Sequence, residues 1–327
     1  MIIINPTHMY PSVRRGVSLV EILVVISIIG MLISLLLPGI QAARESARRL
    51  QCQNNIRQLA LACQMHEGAI QALPSDGWGW GWGPEEQRGV GIHQPGGWIY
   101  NILPFIEQSS LHSQASGLDD SARRAATGIL LSKPLALFIC PSRRSPAAYP
   151  YTQHAFPLVN VDMPVRGAKT DYAINAGDHV VDTFQGPPDG LDASVQNYVW
   201  PDLSQITGLS FARSSFRLSD VLDGTSHTVL IGEKSLSPEL YTLGVSRGDD
   251  QSMFIGDDAD IRRFTASPPI RDPRGVDEIQ LFGSAHSIGC YVAMCDGSVR
   301  LVNYGIQAET FQALGNRSDG RLDSVEP

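Results

Sequence analysis

Residues 22–43 carry no charge at all, a gap unmatched elsewhere in the chain. Positive charge is also in short supply: 25 Lys and Arg stand against 33 Asp and Glu, a formal net charge of −8 over 327 residues. That balance argues against a dedicated nucleic-acid binder, which usually carries a basic surface. With 43% hydrophobic and 18% charged positions, the chain is too apolar for disorder and too varied for a coiled coil or collagen. Three catalytic patterns are missing: a Gly-x-Ser-x-Gly elbow, a phosphate loop with Lys-Ser/Thr, and His-Glu-x-x-His. No enzyme is expected.

The uncharged segment is nearly all Ile, Leu, Val and Met from Ile22 to Ile40. About 20 such residues at roughly 1.5 Å each cross a bilayer core, and a soluble core helix is rarely apolar all round for so long. Its position leaves a signal peptide or an anchor. A small-x-small cleavage pattern is lacking after Leu37, where Pro38-Gly39-Ile40 runs on into helix formers. The polar leader instead ends in Arg14-Arg15-Gly16, and Glu21 sits inside the apolar span. An acid there is costly enough to be read as functional.

Arg15-Gly16-Val17-Ser18-Leu19-Val20-Glu21 resembles the type IV prepilin signal. The resemblance implies that a prepilin peptidase/methyltransferase cuts after Gly16 and methylates the new terminus at Val17, where the family usually has Phe. The family's glutamate falls on Glu21 and its helix-kinking proline on Pro38. A buried carboxylate needs a counter-charge, and the freed α-amino group, with a typical pKa of about 7.7–8.0, is a suitable one. Glu21 of one subunit is therefore expected to pair with the Val17 amine of its neighbour; the plainer alternative is a glutamate snorkelling at the interface. Arginines flank both ends of the span, so orientation follows the signature: a single pass in the inner membrane, contacting lipid, with the head in the periplasm, or at the cell surface or in a pseudopilus after assembly. Loss of Arg14 and Arg15 takes −8 to −10.

Beyond Pro38 the pattern turns amphipathic. Cys52, Ile56, Leu59, Ala60 and Cys63 fall on one helical face, and the helix is expected to reach about Ala69. Residues 1–16 are then a leader, 17–70 a long helix (17–40 in the membrane, 41–70 amphipathic) and 71–327 a loop-rich head. Trp98 to Ile106 and Ala125 to Leu131 read as short helices or buried segments. Phe211 to Glu233 reads as a helix-like start, a turn and a strand at Thr228–Ile231. Cys290 to Cys295, Asp296-Gly297 and Ser298 to Val302 read as a hairpin with a two-residue type I′ turn.

Six pieces in order extend the resemblance: Cys52-Gln53-Asn54-Asn55, Leu103-Pro104-Phe105, Phe138-Ile139-Cys140-Pro141, Thr170-Asp171-Tyr172-Ala173, Asp223-Gly224-Thr225-Ser226, and His286 with Asp296-Gly297. Together they are similar to a large bacterial family of prepilin-like proteins whose carboxy-terminal domain has no known function. The resemblance implies an α+β, pilin-like fold, a long amino-terminal helix packed on an antiparallel sheet.

His286, Asp296 and Gly297 suggest a metal or acid–base pair, but Asp-Gly suits a tight turn and the histidine is expected to bond the hairpin backbone. Asp223-Gly224 reads likewise as a turn. Asp249, Asp250, Asp257, Asp258 and Asp260 are the densest acidic group, the last three forming a candidate calcium loop, although a solvated loop is the simpler expectation. Trp78-Gly79-Trp80-Gly81-Trp82 would align its indoles if extended, as a sugar-binding face or as packing. Among five cysteines, Cys52 and Cys63 lie too far apart on their helix to bridge; Cys140 with Cys290 or Cys295 is the pair to test. No cysteine spacing suggests a zinc knuckle. The expected function is a pilus or secretion-pseudopilus subunit assembling through its helix. The alternatives are an anchored envelope protein whose head binds glycan or protein, or, more weakly, an exported enzyme.

Overall fold

The computed structural model describes residues 18–153 and 156–321; Gly16 and Val17 lie outside them. The chain divides into two compact units, Met1–Ala47 and Arg48–Pro327. Both contribute to one helix, α1 (Leu19–Ile70), which passes unbroken through Pro38.

In the first unit every described side chain up to Arg44 is exposed. The apolar stretch is long enough to cross a membrane, and no part of it is buried within the chain. Its polar side chains turn inward on the backbone: Ser27 Oγ donates to Leu23 O and Ser34 Oγ to Met31 O, each at 2.8 Å. Such bonds satisfy hydroxyls where solvent offers nothing.

The second unit is built on a five-stranded sheet. Nine short strands are described: β1 (Ala148–Pro150), β2 (Arg166–Ala168), β3 (Tyr172–Asn175), β4 (Val229–Glu233), β5 (Arg262–Arg263), β6 (Ile270–Arg271), β7 (Gly283–Ser284), β8 (Cys290–Met294) and β9 (Val299–Val302). The main sheet runs β5-β3-β4-β8-β9. It is antiparallel except at one edge, where the two-residue β5 pairs parallel with β3, so the expected α+β fold, a long helix with an antiparallel sheet, is present with one parallel edge pair.

One face of that sheet is covered by α1. Cys52, Ile56, Leu59, Ala60 and Cys63, the residues expected on one face, are all fully buried. Ile56, Leu59, Ala60 and Cys63 join a core with Trp98, Phe138, Tyr172, Leu230, Ile231 and Ala293. The helix Ala308–Gly315 covers the other face through Phe311 and Leu314, against Val229, Val292 and Met294. Strand β8 alternates between the two cores as a period of two requires. Strand β4 does not: a register shift between Val229 and Ile231 sends them to opposite faces, the signature of a bulge.

The helix-like start expected near Phe211 is instead turns leading to a single 3-10 turn, Leu218–Asp220. The hairpin is present, but with a different turn. Gly297 alone has positive φ (82°), Gly297 N donates to Met294 O, and Met294 N donates to Ser298 O. The loop is therefore three residues, Cys295-Asp296-Gly297, a type I turn closed by a left-handed glycine.

Candidate functional site

At the start of α1, Ser18 precedes the first helical residue and Glu21 is the third within it. Glu21 Oε2 accepts the Ser18 amide hydrogen at 2.8 Å, and Ser18 Oγ accepts from Val20 N at 3.3 Å. A serine followed three residues later by a glutamate is the capping-box arrangement. Cutting after Gly16 would leave both residues in the mature chain.

Pieces of four of the sequence motifs meet in the interior of the second unit. Asn55 Nδ2 donates to Ile139 O and to Tyr172 Oη, both at 3.3 Å. Cys140 N donates to Asp171 Oδ2 at 2.8 Å. Cys52 Sγ lies 2.9 Å from Cys140 Sγ, and Cys140 Sγ lies 3.9 Å from His286 Nε2. His286 Nε2 is 3.6 Å from Glu233 Oε1. All four residues are fully buried. Burial pushes the Glu233 carboxyl upward, against the pull of His286 and Arg143. The hydrogen bond from Cys52, then burial, push the Cys140 thiol well up, and His286 opposes them.

Two expectations are corrected here. Cys140 meets Cys52, not Cys290 or Cys295. His286 faces a carboxylate and a thiol, and it stands at the opposite end of β8 from Asp296, so the two form no pair. Asp296 is a turn residue: its Oδ1 accepts from Ser298 N at 2.8 Å and its amide donates to Thr225 O. Asp223 is structural too, accepting from the Asp319 and Gly320 amides at 2.7 and 2.8 Å. Gly224 takes φ 96° beside it.

The acidic group is buried rather than solvated. Asp249 pairs with Arg144 and, at 2.9 Å, with Lys234 Nζ; these cations hold its carboxyl below the usual range despite burial. Asp257 pairs with Arg262 at 3.0 Å. Asp260 Oδ1 accepts from Gln251 N at 3.1 Å. Only Asp250 and Asp258 line the nearby cleft of about 660 Å³, together with Trp80, Phe156, Asp182 and Asp277. Of the three carboxylates offered as calcium ligands, Asp257 therefore has a cation partner, while Asp258 and Asp260 share Gln251, whose Nε2 donates to Asp258 Oδ2 at 2.7 Å.

The tryptophan repeat splits as well. Trp78 and Trp82 are buried edge to face with centroids 4.8 Å apart, under the Arg88 guanidinium. Trp80 sits apart against Phe156. A turn between Gly79 and Trp82 breaks the alternation an extended run would have kept.

Sequence reading missed Glu233 and the pair Arg143–Arg144. Arg143 makes two bonds to Asp272, at 2.8 and 3.0 Å, and Arg144 Nη2 lies 2.7 Å from Asp171 Oδ1. The only hint was position: Glu233 closes an apolar strand with Lys234 next to it, and the arginines come just after Cys140-Pro141-Ser142.

In comparisons with known proteins, the model of the family described as "Protein of unknown function (DUF1559)" matches residues 41–309. The prokaryotic N-terminal methylation motif matches residues 11–37. No curated protein matches the chain, and no solved structure does.

Proposed function

Since the chain belongs to the DUF1559 family and carries the N-terminal methylation motif of a type IV pilin-like protein, we propose that it is a structural subunit. It is cut after Gly16, methylated at Val17 and assembled with like subunits into a type IV pilus or a type II secretion pseudopilus. The observation that carries this reading is the amino-terminal half of α1. Its apolar side chains are exposed among the described residues, and its one acid lies in the first turn. A membrane covers such a surface before assembly and neighbouring helices cover it afterwards, where van der Waals packing replaces lipid contact. The acid then meets the neighbour's terminal amine. The head lies in the periplasm, with the helix crossing the inner membrane once.

A second reading draws on the cleft. Trp80 and Phe156 beside Asp182, Asp250 and Asp258 combine an aromatic wall with hydrogen-bonding carboxylates, the chemistry that binds sugars. On this reading the anchored head captures glycan without polymerising. Filament formation in cells tests the two: sheared surface fractions containing the protein favour the subunit, and retention wholly in the membrane with glycan-dependent retention on a carbohydrate column favours the binder.

A further inference from the structure

Two thiols, an imidazole and a carboxylate are gathered from four distant parts of the second unit: Cys52 on α1, Cys140 after the turn Ala136–Phe138, Glu233 at the end of β4 and His286 before β8. Their potential ligand atoms all lie within 4.8 Å of one another. We propose that these four residues form a closed, four-coordinate site for a thiophilic divalent cation, with zinc the ion their chemistry suits best.

Cys and His with one carboxylate is a tetrahedral donor set of the zinc type. With Zn–S near 2.3 Å and Zn–N or Zn–O near 2.0–2.1 Å, the edges of the tetrahedron are about 3.3–3.8 Å. The Cys140–His286 and His286–Glu233 separations, 3.9 and 3.6 Å, fall close to those edges. The sulfur atoms, at 2.9 Å, stand between a disulfide bond of about 2.05 Å and the sulfur edge of such a tetrahedron.

The rival explanation needs two separate parts, a Cys52–Cys140 disulfide and a His286–Glu233 ion pair. One cation accounts for all four groups at once. It also accounts for Glu233 Oε1, which is buried and accepts no hydrogen bond. Three of the four ligands are held in place: Tyr291 N donates to Glu233 Oε2, Asp171 accepts from Cys140 N, and Tyr304 and Ser284 bond the His286 backbone. Supporting bonds of this sort orient metal ligands. Binding would expel the two thiol protons to solvent, leaving two thiolates and a carboxylate around a dication. The net charge of −1 is faced by Arg143, whose guanidinium interacts with both Cys140 and Glu233. Full burial leaves no open coordination position, so the ion would be structural, locking α1 to the sheet.

The test uses the full-length protein in detergent, purified with a non-chelating reductant and also refolded in the presence of zinc. Elemental analysis should find one zinc per chain, and alkylation with peptide mass spectrometry should find Cys52 and Cys140 unbridged. Refolding with cobalt should give thiolate-to-cobalt charge-transfer absorption. Cys140→Ser and His286→Ala should lower zinc content at least about tenfold, whereas Cys63→Ser, on the same helix outside the cluster, should not. A Cys52–Cys140 disulfide, or reduced wild-type protein without zinc after refolding with it, overturns the proposal. So does a zinc content indifferent to both ligand variants. The wild-type measurements decide the matter even if a variant fails to fold.

Discussion

Glu21 takes the amide hydrogen of Ser18 at 2.8 Å, so the acid of the apolar span is already engaged at the start of its own helix. A carboxylate has room for further partners, so capping and pairing with a neighbour's amine are compatible roles.

Glu21→Gln separates those roles. The amide keeps an oxygen for Ser18 N but carries no charge, so it should be processed normally and fail to assemble. Glu21→Ala loses both, and should also weaken the first turn by about 1 kcal/mol. Filament yield from sheared cells is the readout; wild-type yield for the glutamine variant would limit Glu21 to capping.

Mass spectrometry of the mature protein should find a chain beginning at Val17 and one methyl group heavier than the unmodified peptide. Gly16→Leu should retain the leader, and isoelectric focusing should show the corresponding change from −10 back to −8. An intact Met1 in the wild type would refute processing.

The buried acids make stability fall as pH rises. Burial, then Asp250, push Asp258 up to about 7 from an ordinary value of 3.8; burial raises Asp257 and Asp260 as well. The folded state therefore holds more protons than the unfolded chain between about pH 4 and 7, so unfolding free energy declines across that window. Asp249 acts oppositely, its depressed value costing stability only as pH falls below about 4. Chemical denaturation from pH 4 to 8 should show the decline, and Asp258→Asn should flatten it. A stability rising through that window would contradict the assignment.

Asp249→Ala should be among the most damaging single changes. It removes the carboxylate that Lys234 pairs with in the interior and leaves Arg144 with Asp171 alone, a loss of about 3–5 kcal/mol for a broken buried pair. Arg274→Ala removes only an exposed partner of Glu239, 3.8 Å away, and should leave stability almost unchanged. Melting temperatures of the two variants give the comparison.

Much of the architecture was legible in the chain. The uncharged run, the buried stripe from Cys52 to Cys63 and the strands around Asp296-Gly297 are local patterns, set by rise per residue and side-chain periodicity. Those constraints act over a few residues, so the order of residues suffices to reveal them. The turn type at Asp296-Gly297 was misread because both turns accept the same dipeptide, and the register that pairs Met294 N with Ser298 O selects between them.

What the order of residues settled alone is the greasy amino-terminal helix with its acid and its amphipathic continuation. What only folding decided is which polar groups share the interior. Cys52, Cys140, Glu233 and His286 are scattered across more than two hundred residues, and no periodicity links them. They converge because α1 lies on the sheet face formed by β3, β4 and β8, and that packing brings the ends of separate elements to one buried point.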